Sequence, residues 1–378
     1  MSDETAETLK KSPLDALHRE LGGKMVPFAG WEMPLNYGPG ILKEHIHTRT
    51  AASLFDVSHM GAMLVRSMDE NTAVVASALE QLMPIDLHGL EEGRQRYGFL
   101  TTEDGGIIDD LMVARRSDHF YLVINAGQAE TLTWELAERL RPTMAGPLRG
   151  RAMLALQGPQ SAEIMSVIAP ETADMRFMDF RETWVMSVKC LVSRSGYSGE
   201  DGFEISAPVE YAEHIARTIL SHPDVEPAGL GARDSLRLEA GLCLHGNDID
   251  RTTTPVEAGL SWAIQKVRRR GGQREGGFPG ADRILAELED GATRRLVGLR
   301  PQGRAPVRSG AVLRDLDGNE IGAVTSGVFG PTVEAPVAMG YVAIEHAKPG
   351  TEIHAEVRGK ALPVIVTKMP FITPGYKR

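Results

Sequence analysis

Apolar and polar positions alternate most regularly between residues 97 and 125, and the rest of the chain can be laid out around that stretch. Residues 107–113 read Ile-Ile-Asp-Asp-Leu-Met-Val, an apolar strand with two carboxylates in its middle. The turn Glu103-Asp104-Gly105-Gly106 precedes it, and glycine there supplies positive φ without steric cost. Residues 96–102, 107–115 and 119–125 are therefore predicted to form a meander of strands. Side chains alternate along a strand, so Asp109 falls on the face of Ile107 and Leu111, and Asp110 on the face of Ile108 and Met112. Each face thus carries one acid among apolar neighbours. A carboxylate in such a place must find donors, be protonated or meet a ligand. Two readings stand: a hydrogen-bonded structural acid near a turn, or a carboxylate aimed into a pocket to orient or deprotonate a substrate nitrogen.

The same patterning sets out the flanking elements. Ser12-Pro13 predicts a helix start, with Gly22 as its stop. Residues 25–37 mix Pro, Gly and aromatics and read as turns packed on a core; residues 40–52 read as helix, and 53–66 as a loop leading into a strand. Asp69 is the expected cap of a helix through Met83, and residues 128–140 form an amphipathic helix. A second α+β unit begins at Arg151, with a buried strand at 153–156, helices at 158–168 and 210–220, and a long strand at 184–194. There follow a glycine-rich turn at 195–202 leading into a strand at 203–206, and a helix entered through the glycines of 229–241. Residues 266–277 are basic and glycine-rich, which predicts a mobile surface loop. From Arg295 onward short strands and turns alternate, the texture of a small all-β unit.

Composition narrows the class. The chain has 378 residues, room for two or three domains of about 150 residues each. Its formal net charge of −10 argues against a nucleic-acid protein, which needs a basic excess. No apolar run reaches the roughly 18 residues of a membrane span. The acidic N-terminus lacks an apolar core and reads as neither signal nor transit peptide. The two cysteines, Cys190 and Cys243, lie far apart and read as small core residues, so a reducing cytoplasmic location is expected.

Candidate chemistry beyond the paired acids is sparse. Asp56-Val-Ser-His59 is a polar cluster whose histidine is a structural or a catalytic candidate. His45 and His47 read as exposed helix positions, and no metal-ligand set is visible. Tyr197 and Glu204 flank the glycine-rich turn, where close approach of a flat ligand is possible. A glutamate there can accept two parallel N–H bonds from a heterocycle, or it can pair with an arginine. Arg233 and Arg237 share one helix face, as a salt-bridged surface or as cations for Glu204 or an anionic ligand. The loop 246–259 predicts little beyond a helix start with Glu257 in its first turn. No phosphate-binding loop, nucleophile elbow or HExxH motif occurs, and the glycines of 229–231 lack the context of a dinucleotide fold.

Taken in order, Phe55-Asp-Val-Ser-His-Met-Gly, Gly105-Gly-Ile-Ile-Asp-Asp-Leu-Met-Val, Leu156-Gln-Gly-Pro, Arg194-Ser-Gly-Tyr-Ser-Gly-Glu-Asp-Gly-Phe-Glu, Gly229-Leu-Gly-Ala-Arg-Asp-Ser-Leu-Arg, Thr254-Pro-Val-Glu-Ala-Gly, and Val324-Thr-Ser-Gly with Ala338-Met-Gly-Tyr-Val resemble the aminomethyltransferase, or T-protein, family of the glycine cleavage system. The resemblance implies an α+β fold, a three-domain cloverleaf around a central folate cavity, with a small C-terminal β-barrel. It implies units at 1–52 with 151–265, at 53–150, and at 266–378. It further implies transfer of a one-carbon unit from the S-aminomethyl-dihydrolipoyl arm of H-protein to tetrahydrofolate as co-substrate, with no metal and with neither nucleic acid nor membrane as partner. By alignment of motifs the family's key acid falls on Asp110. Its pterin contacts fall on Tyr97, Tyr197, Glu204 and Arg233, and further folate-lining positions on Met60, Met112 and Asn125.

Two segments depart from the family pattern. The run after Trp262 is longer and more basic, and Ser326-Gly-Val-Phe-Gly-Pro carries Gly-Pro for the usual Ser-Pro. The basic run is a solvated flexible loop or, alternatively, a patch whose Arg268, Arg269 and Arg270 dock an acidic carrier. Rival functions are a folate-dependent demethylase of the same fold, acting on free methylated compounds, and a non-catalytic folate-binding assembly factor. The chain lacks the flavin domain of the first and the Lys-Gly-Cys-Tyr signature of the second.

Overall fold

The meander forms where its alternation requires. In the computed structural model, which describes residues 9–377, strands Gln95–Thr101, Ile107–Arg115 and Phe120–Ile124 pair antiparallel. Gly61–Arg66 and Met144–Pro147 extend them to a five-stranded sheet. Its core gathers Leu111, Val113 and Leu122 with Val75 and Leu79 of helix Thr72–Glu80 and Leu132 and Leu136 of helix Ala129–Arg139.

A six-stranded sheet runs in the order Phe180–Val185, Val188–Ser193, Gly202–Pro208, Arg151–Gln157, Ala52–Asp56, Val225–Pro227. Helices Ser161–Ile168 and Val209–Leu220 pack on it through Ile164, Met165, Ile215 and Ile219. The C-terminal β-barrel is closed, as expected: Arg294–Pro301, Ala335–Ala343, Glu320–Gly330, Val312–Arg314, Glu352–Val357 and Lys360–Thr367 follow one another around it. Among the described residues no helix is long and apolar enough to cross a membrane.

Several local expectations are corrected. Residues 24–36 are a hairpin, Lys24–Phe28 with Trp31–Asn36, not packed turns. Pro27 and Pro34 masked it, because proline removes a ladder donor. Ala29 and Gly30 take φ of 48° and 80°, as a two-residue hairpin turn requires. Residues 52–56 form a strand rather than a loop. The expected long strand at 184–194 breaks into a hairpin at Met186, which adopts φ 55°. Asn71, not Asp69, caps the helix at 72, its side chain accepting from Ala73 N at 3.0 Å. Residues 254–259 make one turn, not a helix, although Thr254 and Glu257 exchange the two bonds of a capping box.

The basic segment is largely exposed, as a surface loop should be, but Arg268 anchors it in the fold. Arg268 is buried, donating to Glu80 Oε2 (3.1 Å), Glu80 O (2.7 Å) and Gly276 O (2.9 Å). Arg269 bonds Ile264 O and Ser261 O, and Arg270 pairs with Glu289. Arg268 is thus spent within the fold, whereas Arg270 stays exposed beside Glu289. His45 is likewise fully buried, not exposed: Nδ1 meets Ser235 Oγ at 2.8 Å, and Nε2 meets Glu239 and Thr332.

The units are laced together around helix Leu230–Glu239. Arg237 binds Asp248 (2.6 Å) and, across to the barrel, Ser326 (2.8 Å). Beyond the barrel the C-terminal segment returns: Phe371 N donates to Glu239 O, Gly375 N to Gly199 O, and Tyr376 stacks on Phe177.

The turn that launches the acid-bearing strand has no room for a side chain at Gly106, where a Cβ would lie 1.8 Å from Arg251 O. Gly106→Ala should therefore cost at least about 2 kcal/mol through overpacking, read by denaturant unfolding. An unchanged midpoint would show that the 251 backbone yields freely.

Candidate active site

The three sheet-bearing units meet around a cavity of about 1740 Å³. That exceeds the roughly 300–1,000 Å³ typical of one small ligand. Met60, Tyr97, Asp110, Met112, Asn125, Tyr197, Glu204 and Arg233 all line it. Residues drawn from the two larger sheets, one helix and their connecting loops are thus brought to one wall.

Strand alternation separates the two acids. Asp110 lines the cavity, whereas Asp109 is fully buried behind it. Tyr97 Oη donates to Asp110 Oδ2 at 3.0 Å. Asn125 Nδ2 lies 2.8 Å from Asp110 Oδ1, 2.9 Å from Asp110 O and 2.9 Å from Asp109 Oδ1. Burial raises the pKa of both acids. For Asp110 the Tyr97 bond opposes the rise. For Asp109 the value reaches about 7, with the Asn125 bonds pulling it down and the Asp110 charge pushing it up.

A second polar cluster surrounds Glu204. Ser195 Oγ donates to Glu204 Oε2 at 3.0 Å and Ser193 Oγ to the same oxygen at 3.5 Å. No described side chain donates to Oε1. The Arg233 guanidinium lies 4.7 Å above the Tyr197 ring and has no hydrogen bond or ion pair among the described residues. Burial lowers its pKa, and the Glu204 charge opposes that. A half-buried guanidinium whose donors have no protein acceptor among the described residues is suited to a polar ligand. Tyr197 is fixed in turn by donating to Cys243 O. Arg233 and Arg237 therefore part company: one faces the cavity unpaired, and the other is a buried clamp also held by Asp234 at 2.9 Å.

His59 lines the same cavity, edge-on to Phe28 at 5.4 Å, with Nδ1 buried and unpartnered. Burial and then the Arg233 charge hold it well below its ordinary pKa, hence neutral. Asp56 is structural, taking bonds from Ser12, His18 (2.8 Å) and Ser58 N (2.8 Å).

Sequence reasoning missed two cavity residues. Trp262 stacks on Tyr97 with centroids 5.4 Å apart, while remaining 62% exposed. An exposed tryptophan just before a basic run was its only signal. His245 reaches within 3.9 Å of Asp109. Its signal was its place at the head of the polar Gly246-Asn-Asp loop. Among the described residues no cluster of three or more His, Cys, Asp or Glu could hold a metal ion.

Comparisons with known proteins agree in one direction. Residues 14–268 match the model of the GCVT N-terminal domain, and residues 294–372 that of the glycine cleavage T-protein C-terminal barrel domain. The chain is 44% identical to the mitochondrial aminomethyltransferase of Gallus gallus, over 98% of this chain and 94% of that one. It is 42% identical to the mitochondrial aminomethyltransferase of Homo sapiens, over 98% and 92%. The crystal structure of the glycine cleavage system aminomethyltransferase T from Bartonella henselae superposes with a TM-score of 0.90 at 43% identity, covering 98% of this chain and all of that one. The cytoplasmic location expected from the N-terminus and the cysteines does not stand, because these curated relatives are mitochondrial.

Asp109 generates a stability prediction. With a pKa raised from 3.8 to about 7, the folded state binds more protons than the unfolded one between those values. Its contribution is present below the unfolded value and is lost as pH rises through about 7. The unfolding free energy of Asp109→Asn, relative to wild type, should rise on the order of 3 kcal/mol from pH 4 to pH 8. Parallel urea-stability curves for the two proteins would contradict this.

Proposed function

The chain belongs to the glycine cleavage T-protein family of aminomethyltransferases, and from that premise we propose that its cavity holds tetrahydrofolate with Asp110 at the reacting nitrogen. The reaction is transfer of the one-carbon unit from S-aminomethyl-dihydrolipoyl H-protein to tetrahydrofolate. It yields 5,10-methylenetetrahydrofolate, ammonia and the dihydrolipoyl carrier. The rival readings, a demethylase of free methylated compounds and a binding-only assembly factor, are not favoured, since the curated relatives are named aminomethyltransferases.

The observation that carries the residue assignment is the convergence of an acid cluster and a Glu204–Arg233 cluster on one cavity. Glu204 accepts the 2-amino and ring N–H edge of the pterin, a pairing that a carboxylate makes with two parallel bonds. The Ser193 and Ser195 hydroxyls orient that carboxylate. Arg233 offers its unpaired donors to the ring carbonyl. Tyr197, beneath Arg233, supplies a flat wall between the two clusters.

At the acid cluster, Tyr97 and Asn125 hold the Asp110 carboxylate in one orientation. Asp110 orients the attacking folate nitrogen and accepts its proton as ammonia leaves the donor carbon. Met60 and Met112 line the folate with adaptable apolar surface. The cavity is large enough for the folate and for the lipoyl arm of H-protein to enter together. Catalysis then rests on positioning and on charge placed in a desolvated site, with no covalent enzyme intermediate.

The test is carrier-dependent ammonia release with lipoylated H-protein, with and without tetrahydrofolate. Asp110→Asn should lose about 10²–10⁴-fold in turnover while its folate Kd stays within about threefold of wild type. Glu204→Gln should instead weaken folate binding by about 1.5–3 kcal/mol, as expected for loss of charge-assisted bonds. Turnover by Asp110→Asn above one-tenth of wild type would remove Asp110 from the chemistry.

A further inference from the structure

The Asp56-Val-Ser-His59 cluster leaves one group without a task. Asp56 takes its bonds from Ser12, His18 and Ser58 and none from His59. The His59 ring is only 4% exposed, lines the cavity and makes no hydrogen bond among the described residues. A buried polar ring without bonds costs free energy. The packing around it does not call for polarity, because the one aromatic neighbour, Phe28, meets the ring edge-on at 5.4 Å.

The backbone that carries His59 is held firmly. Val57–Met60 is a tight turn closed by Met60 N donating to Val57 O at 3.0 Å. Val57 N donates to Met153 O at 2.9 Å, and Met153 N donates to Ser58 Oγ at 3.0 Å. The imidazole is therefore presented to the cavity from a fixed support on the central strands.

Its protonation state follows from its surroundings. Burial first, and then the Arg233 charge, hold the pKa down to about 4, so the ring is neutral in the physiological range. A neutral imidazole carries one N–H and one lone pair. Of the two nitrogens, Nδ1 is sealed off without a partner, which leaves Nε2 as the nitrogen open to the cavity. A buried N–H without an acceptor is the costlier orphan, so the proton belongs on Nε2, where water or a ligand can accept it.

Of the charged groups around the ring, Arg233 acts on it most strongly, so His59 stands on the Arg233 side of the cavity. With Glu204 on the 2-amino and N3–H edge of a pterin, the next group around the ring is the C4 carbonyl. That oxygen has two lone pairs and accepts two donors. Arg233 supplies one.

We propose that His59 is a binding and specificity-determining residue, whose Nε2–H is the second donor to the pterin C4 carbonyl beside Arg233. The proposal rests on the reading that the cavity holds tetrahydrofolate with its pterin on Glu204.

The experiment is the Kd of tetrahydrofolate and of its 4-amino-4-deoxy analogue for wild type, His59→Leu, His59→Asn and His59→Gln. A glutamine amide reaches the place of Nε2, whereas an asparagine amide reaches only that of Nδ1. His59→Leu and His59→Asn should weaken tetrahydrofolate binding about 5–50-fold, and His59→Gln should stay within about threefold of wild type. The analogue offers an amino donor where the carbonyl was, so the wild-type preference for tetrahydrofolate over it should shrink in His59→Leu by about the factor lost. A His59→Leu Kd within about twofold of wild type, equal losses in the Gln and Leu variants, or a preference left unchanged would overturn the inference. Nitrogen-15 NMR of the wild-type imidazoles, with His59 assigned by its absence in His59→Gln, needs no folded Leu variant. It should show the proton on Nε2 near neutral pH and that resonance moving when tetrahydrofolate is added; a proton on Nδ1, or an Nε2 resonance indifferent to folate, would equally overturn it. A wild type that binds no tetrahydrofolate would instead sink the folate reading itself, so the two failures are distinguishable.

Discussion

The buried guanidinium of Arg237 is the fastening on which the cavity depends. It joins helix Leu230–Glu239 to Asp248, to the Leu242 carbonyl and to Ser326 of the barrel. Removing one partner of such a buried pair costs about 3–5 kcal/mol, because an uncompensated charge is left behind. Against a net stability of about 5–15 kcal/mol that is a large fraction. The clamp also sets the site. Arg233 stands one helical turn before it, and the loop bearing Cys243 and His245 hangs from Asp248. A second buried network, His45, Arg49, Glu239 and Thr332, ties the last residue of the same helix to helix Ile41–Thr50 and to the barrel. Neither network touches the proposed folate contacts. Both determine where those contacts stand.

The cavity wall gathers charges that burial disfavours, and this is where its chemistry lies. Asp109 and Asp110 are pushed toward their neutral forms by desolvation, and Arg233 is pushed toward its own. A packed interior would pair these groups with one another; here Arg233 has no hydrogen bond or ion pair among the described residues, and Glu204 is bonded only by serine hydroxyls. An aminomethyltransferase gains from that arrangement, because a polar ligand satisfies groups that the protein leaves unpaired.

Much of this was legible from residue pattern. Period-two alternation and a Gly-Gly turn locate the strand Ile107–Arg115, and the pleat by itself separates Asp109 from Asp110. Which acid faces the cavity depends on where the helix and barrel lie, and no local signal carries that. The hairpin at residues 24–36 was hidden by its prolines, which here occupy a small three-stranded sheet. His45 and Arg268 were misjudged as exposed because a polar residue on a helix or in a basic run is usually solvated; their partners, Glu239 and Glu80, lie nearly two hundred positions away. His245 and Trp262 escaped for the same reason, since they become site residues only when a loop and a turn cross the meander. The family resemblance supplied the candidate site list, and all of those residues line one cavity.

The most direct test of the account is a crystal structure with a stable reduced folate bound. The account predicts the pterin edge on Glu204, the ring beside Arg233 and Tyr197, and N5 within hydrogen-bond reach of Asp110. A folate lying in the cavity with its N5 turned away from Asp110, or with Glu204 still bonded only to Ser193 and Ser195, would contradict it.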